Sequence, residues 1–138
     1  MTEMKYQINS DIPIESILTL YNDVGWAAYT SDEQKLKEAI KNSLITISVW
    51  YEDKLIGLLR AVGDGLTIIY IQDILVLRSF QRQGIGRQLL KIMLDKYSIV
   101  RQIVLMTDAD ENTIMFYESC GFTKTQTLKL QTFTRLLR

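Results

Sequence analysis

The stretch Ile74-Leu75-Val76-Leu77-Arg78-Ser79-Phe80-Gln81-Arg82-Gln83-Gly84-Ile85-Gly86-Arg87 decides the fold. It reads as the end of an apolar strand, a short polar loop and the start of a helix. Glycines at 84 and 86 let backbone N–H groups turn toward a ligand with no Cβ in the way, and a helix N-terminus adds partial positive charge. The segment is therefore a candidate anion cradle. A dinucleotide fingerprint does not fit, because Leu89 stands where the third glycine is wanted, and no Gly-Lys-Ser/Thr is present for a nucleoside triphosphate loop. Two glycines at a helix start also suit a plain tight loop. The spacing Gln81-x-x-Gly84-x-Gly86 behind an apolar strand is more particular.

Upstream of this segment, three β-rich runs, Leu44 to Tyr51, Leu55 to Val62 and Thr67 to Leu77, are separated by Glu52-Asp53-Lys54 and Gly63-Asp64-Gly65. They predict an antiparallel meander. Before them, Ile14, Ile17, Leu18, Tyr21 and Val24 repeat at helical spacing behind Pro13, and a second helix starts at Asp32 as cap and carries Leu36, Ala39 and Ile40. Downstream, Gly84 to Tyr97 predicts a long helix, and Ile103 to Met106 a short strand buried on both faces. A short helix from about Asn112 to Cys120 is expected to stop at Gly121, followed by two more strands, Phe122 to Gln126 and Leu128 to Leu137. The order strand, two helices, three strands, helix, strand, helix, two strands predicts an α/β fold with a mixed sheet and helices on both sides.

The 138 residues, 47% hydrophobic and 23% charged, suit one ordered domain over 1–138 with no linker inside it. No apolar run nears the roughly 18 residues of a membrane span, and MTEMKYQINSD lacks the apolar region of a signal peptide, so the expected location is the cytoplasm with no membrane partner. One cysteine and no histidine exclude an internal disulfide, a Ser-His triad and a histidine-ligated zinc, and no metal is expected. Formal charge is zero overall but uneven: −5 over residues 1–77, +5 over 78–101 and 0 over the remainder. The basic middle suits an anion, while the overall balance argues against a nucleic-acid binder.

Two motifs together carry a resemblance. Gln81-x-x-Gly84-x-Gly86 behind its strand is similar to the acetyl-CoA motif of the GNAT superfamily of N-acetyltransferases, and Asn112-x-x-x-Phe116-Tyr117-x-x-x-Gly121-Phe122 falls where that family has its next diagnostic segment. Arg78, Arg82 and Gln83 depart from the residues most frequent there. The resemblance implies a GNAT-like, mainly antiparallel sheet flanked by helices, with splayed central strands. The divergence is expected between Ile71–Leu77 and Ile103–Met106.

It also implies roles. Acetyl-CoA would be the co-substrate, with its pyrophosphate held by Arg82, Gln83, Gly84, Ile85, Gly86 and Arg87 and its pantetheine arm paired to the backbone of Leu75, Val76 and Leu77. Tyr117 is the candidate general acid for the departing thiolate, against the alternative of a tyrosine packed beside Phe116. Asn112 either bonds the cofactor or caps its own helix. Asp73 lies inside an apolar strand on the face of Leu75. It is either the base that takes the proton of the amine or the partner of a neighbouring group. Trp26 and Tyr29 either wall the acceptor or fill the core. Cys120 reads as a small buried helix residue. The partner is a small-molecule amine or a peptide N-terminus, favoured as a cation by the acidic first half, and a homodimer is consistent with the apolar C-terminal run. The rival is a non-catalytic acyl-CoA-binding or interaction module on the same fold.

Overall fold

Five strands lie side by side in chain order: β1 (Met4–Ile8), β2 (Ile45–Tyr51), β3 (Lys54–Gly63), β4 (Ile68–Val76) and β5 (Gln102–Leu105). The first four are antiparallel neighbours, and β5 joins β4 in parallel. The computed structural model describes residues 3–137, and the chain divides into two units, Met1–Met106 and Thr107–Arg138. The first unit holds the sheet with α1 (Ile14–Asp23), α2 (Ala27–Thr30), α3 (Glu33–Lys41) and α4 (Ile85–Lys96), and the second holds α5 (Glu111–Ser119).

Local chemistry sets these elements. Pro13 occupies the N-cap of α1, and its carbonyl accepts from the N–H groups of Ser16 and Ile17. α1 then buries Ile17, Leu20 and Tyr21. Asp32 caps α3 by accepting from the Lys35 N–H at 3.1 Å, as its sequence position predicts. In β3, Leu55, Ile56, Leu58, Leu59 and Ala61 are all buried, so both faces of the central strand are covered. α4 contributes Ile85, Leu89, Leu90 and Met93 to the same core. A Cβ on Gly57 would lie 2.7 Å from Val49 Cγ1 and 3.1 Å from the Leu75 carbonyl oxygen. Only glycine lets β2, β3 and β4 approach this closely beneath the start of α4.

Two irregularities prepare the site. Arg60 pairs with Asp73 and Ala61 with Ile71, so Gln72 is an extra residue on β4, a bulge. The parallel pairing of β4 with β5 runs from Ile68↔Gln102 to Ile71↔Leu105 and goes no further. Among the described residues, β4 therefore continues from Gln72 to Val76 with that edge unpaired, while Ile103 to Leu105, where the resemblance implies divergence, stay paired to β4.

Three expectations are corrected. The strands at Phe122 to Gln126 and Leu128 to Leu137 are absent; Thr125–Leu128 is a 3₁₀ turn, and Lys129 adopts φ 60°. Bonds from the N–H of Lys129 to Gln126 O and of Leu130 to Thr125 O close the chain where the two strands were to meet. Residues 126–137 are exposed throughout, so their alternating pattern has no buried face to fix a register. β5 is half-buried at Ile103, Val104 and Leu105, because among the described residues nothing pairs with its outer edge. Cys120 is half-buried and stands just past the end of α5. Among the described residues no helix is long and apolar enough to cross a membrane.

The β3–β4 turn is organised by Asp64. Its carboxylate accepts from the N–H groups of Leu66, Thr67 and Ile68 and from Thr67 Oγ1, at 2.7 to 3.1 Å. The Thr67 hydroxyl first, then the backbone donors, hold its carboxyl well below the usual range. A depressed carboxylate stabilises above its unfolded pKa, about 3.9, and loses that contribution as pH falls through the folded value. Asp64→Ala is expected to lower the melting temperature at pH 7, with the gap from wild type narrowing below about pH 4, as followed by thermal denaturation across pH.

Candidate functional site

The loop and the helix start take the backbone geometry that the glycines predict. Gly84 is the N-cap of α4 with φ 82°, a left-handed conformation, and no side chain caps the helix there. A Cβ at Gly84 would meet nothing within 4 Å, so the space beside the helix start is open, and the N–H groups of the first turn by helix geometry have no carbonyl of their own helix to bond. Arg82, also at positive φ (65°), and Arg87 are exposed cations of the same loop and first turn. The Gln81 side-chain amide donates to the Val76 carbonyl at 3.0 Å, tying the loop back onto the strand end.

The strand edge that leads into this cradle differs in detail from the expectation. Leu77 donates its N–H to Ile56 O. By the alternation of an antiparallel ladder, Leu75 and Leu77 turn their backbone groups toward β3, while Val76 and Ile74 turn theirs to the unpaired edge. Of Leu75, Val76 and Leu77, only Val76 therefore presents its backbone outward. Ile74, which motif reading missed, joins it. The period-two rule could have found it once the strand partner was known.

Asp73 is buried in company. Its Oδ2 accepts from Arg60 Nε at 2.9 Å and from the Tyr21 hydroxyl at 2.8 Å, and its Oδ1 is buried without a hydrogen-bond partner. Burial works against the Arg60 charge, but the bond to Asp73 and its negative charge outweigh this and hold the guanidinium above its ordinary value. Burial first, then the Asp73 charge and bond, push the Tyr21 phenol far up. Neither Arg60 nor Tyr21 was singled out from sequence. The available signal was a pair of lone charges, Arg60 and Asp73, in facing apolar runs of the meander.

Trp26 and Tyr29 come together with Tyr21. The ring centroids lie 6.0 Å apart for Tyr21–Trp26, 5.5 Å for Tyr21–Tyr29 and 5.9 Å for Trp26–Tyr29. Trp26 and Tyr29 are half-buried, so neither is simply core filling. Gln72, at the bulge, donates its Nε2–H to the Tyr29 hydroxyl at 2.7 Å, and Asp23 Oδ2 accepts from the Arg78 N–H at 2.7 Å. The loop between α1 and α3 is thus fastened beside the open half of β4.

The remaining candidates lie in the unit Thr107–Arg138. Tyr117 packs edge-on against Phe116 and Phe122, with centroids at 5.1 and 5.9 Å. Burial first, then the neighbouring Cys120, push its phenol up. Asp110, not Asn112, caps α5: its Oδ2 accepts from the Thr113 N–H and Oγ1 at 3.1 and 3.0 Å. Asn112 is exposed in the first turn, which removes the capping alternative.

An unpaired strand edge running into an uncapped helix N-terminus suits an extended carrier with an anionic head. The chain belongs to the GNAT family: an acetyltransferase (GNAT) domain matches residues 17–135. It is 32% identical over 120 residues to an uncharacterised N-acetyltransferase, ycf52, of Gracilaria tenuistipitata var. liui, a match covering 83% of this chain and 64% of that one. To a ycf52-like uncharacterised N-acetyltransferase of Prochlorococcus marinus it is 33% identical over 110 residues, covering 75% of this chain and 59% of the relative. The chain therefore spans less than two-thirds of the length of either. The solved structure of a GNAT-family acetyltransferase from Streptococcus pneumoniae TIGR4 is similar at a TM-score of 0.87 and 32% identity, covering 99% of both chains.

Breaking the buried pair on one side is expected to be costly. Arg60→Met strands the Asp73 carboxylate and should destabilise by about 3–5 kcal/mol, whereas Arg60→Met with Asp73→Leu, which leaves no buried charge, should lose far less. Urea denaturation of the two variants checks the order.

Proposed function

We propose that this chain is an acetyl-CoA-dependent N-acetyltransferase that moves the acetyl group to a primary amine by direct attack while both substrates are bound. The observation that carries this reading is the continuity of the open β4 edge, Gln72 to Val76, with the cradle at Gly84. Acetyl-CoA supplies a thioester-activated acetyl group. The first-turn N–H groups of α4, from Ile85 and Gly86, hold the pyrophosphate, with Arg82, Gln83 and Arg87 adding charge and polar contacts around it. Ile74 and the N–H of Val76, whose carbonyl already accepts from Gln81, offer backbone groups to the amide-rich arm, as an edge strand does to an added strand. A backbone N–H at the same edge polarises the acyl carbonyl.

Trp26 and Tyr29 form the wall against which the amine rests, and the net −5 of residues 1–77 favours a cationic or neutral acceptor over an acidic one. A small-molecule amine and a peptide N-terminus both satisfy this chemistry. Tyr117 is the proton donor to the departing thiolate. Its raised pKa suits that task, because the phenol remains protonated at neutral pH. Asn112, exposed and free of the capping role, is available to the carrier.

Thermal denaturation with and without CoA tests the cradle. At about 100 times its dissociation constant, CoA should add about 2.7 kcal/mol of stability, and Gly84→Val should remove most of that gain by filling the open space. No stabilisation of the wild type would reject the reading. A panel of amines assayed for acetyl-CoA-dependent thiol release then separates an enzyme from an acyl-CoA-binding module, which would be stabilised without turnover.

Tyr117→Phe keeps the ring between Phe116 and Phe122 and removes one oxygen. Turnover should fall by about 10²-fold, the low end for a general acid, with CoA stabilisation unchanged. Steady-state kinetics would reject the acid role if the Phe variant turned over at the wild-type rate.

A further inference from the structure

The carboxylate that sequence pattern offers as a base is already committed to two donors. Asp73 has its side chain wholly buried, and its Oδ2 takes both Arg60 Nε and the Tyr21 hydroxyl. The carboxylate is the counter-charge of the buried Arg60 guanidinium, and a buried ion pair is costly to break from one side. Arg60 itself is fixed at its other end, reaching the carbonyl of Ala39 and the hydroxyl of Ser43 at the end of α3, each at 3.4 Å.

What hangs on this carboxylate is the acceptor wall. Tyr21 is completely buried, and Trp26 and Tyr29 rest edge-on or tilted against it and each other. The Trp26 N–H also donates to the Tyr21 carbonyl at 3.0 Å. The Asp73 charge reaches Tyr29 as well. Burial first, and then that charge, raise the Tyr29 phenol, while the bond from Gln72 works the other way. The groups facing the carboxylate are thus one cation, Arg60, and two phenols. The wall meets β4 at two successive residues, Gln72 to Tyr29 and Asp73 to Tyr21, and past the end of β4 the Arg78 N–H donates to Asp23 of α1. Of these, the bond from Tyr21 to Asp73 is the one that is both charge-assisted and buried.

We infer that Asp73 is a positioning residue: with Arg60 it fastens the Tyr21-Trp26-Tyr29 wall to β4, and it takes no proton from the amine. This rests on the acetyltransferase reading for its consequence, since the wall then sets how the amine lies against the strand that carries the acyl group. Small misplacements of a nucleophile are expensive in rate. Tyr21 is the movable link, because its hydroxyl can be deleted without stranding Arg60.

The test uses Trp50→Phe as background, which leaves Trp26 as the one tryptophan of the chain. Tyr21→Phe in that background should make Trp26 more accessible to acrylamide and lower its fluorescence anisotropy. With whichever amine supports turnover, it should also raise the acceptor KM by about tenfold, the loss of one hydrogen bond to a charged group. Stabilisation by CoA should be unchanged. The shape of the pH profile of kcat/KM should be the same in wild type, in Tyr21→Phe and in the double variant Arg60→Met/Asp73→Leu. Loss of the acidic limb in the double variant would overturn the inference and make Asp73 the base. Unchanged Trp26 quenching together with unchanged acceptor KM in Tyr21→Phe would also overturn it, leaving the network a support of the core alone. A wild type that turns over no amine fails the acetyltransferase reading instead, and the Trp26 measurement still decides the anchoring.

Discussion

A guanidinium and a carboxylate buried against each other at the centre of the sheet are the constraint around which the first unit is arranged. Arg60 on β3 and Asp73 on β4 face each other in the ladder, and the pair tolerates its surroundings only because each charge has the other and additional hydrogen bonds. That requirement draws in Tyr21 from α1 and the last turn of α3. It also fixes the register of β3 on β4 next to the bulge at Gln72. A slip by one residue would bring a different residue opposite Asp73 and part it from Arg60.

The bulge and the end of the β4–β5 pairing work together. Beyond Ile71, β4 runs free on one side for five residues and then passes through Gln81 and Gly84 into α4. An exposed edge is ordinarily a liability, open to pairing with any extended chain. Here it is short, and it ends where an uncapped helix start faces open space, so a chain that also bears an anion gains twice. Gly57 makes this geometry available from below, because any side chain there would push β2 or β4 away and shift the start of α4.

The comparison with known proteins strengthens the family and leaves the chemistry to residues. Membership in the GNAT family follows from a match over most of the chain, while the two N-acetyltransferases compared above are themselves uncharacterised. The proposed acceptor wall of Trp26 and Tyr29 is the part of this chain that bears on what it acts on. That wall is aromatic and half-exposed, with its one buried carboxylate already neutralised by Arg60. A cation resting there would meet ring faces in preference to a free charge.

Local signals in the sequence determined most of the elements. Pro13, the Asp32 cap and the period-3.6 runs placed α1, α3 and α4, and the apolar runs broken at Glu52-Asp53-Lys54 and Gly63-Asp64-Gly65 placed β2, β3 and β4. The Gln81-x-x-Gly84-x-Gly86 spacing behind an apolar strand located the helix start, because a positive φ at Gly84 is a demand that residue type answers directly. The strand reading of residues 122–137 was misled, since alternation describes a strand only when some neighbour supplies a face and an edge. The tertiary structure decided everything that depends on partners far apart in the chain. It chose which backbone groups of β4 face outward, and that Asp73 meets Arg60 and Tyr21 at separations of 13 and 52 residues. Burial and pairing are properties of the assembled sheet, so a lone carboxylate in an apolar run carries no sign in the sequence of whether it will be a base or half of an ion pair.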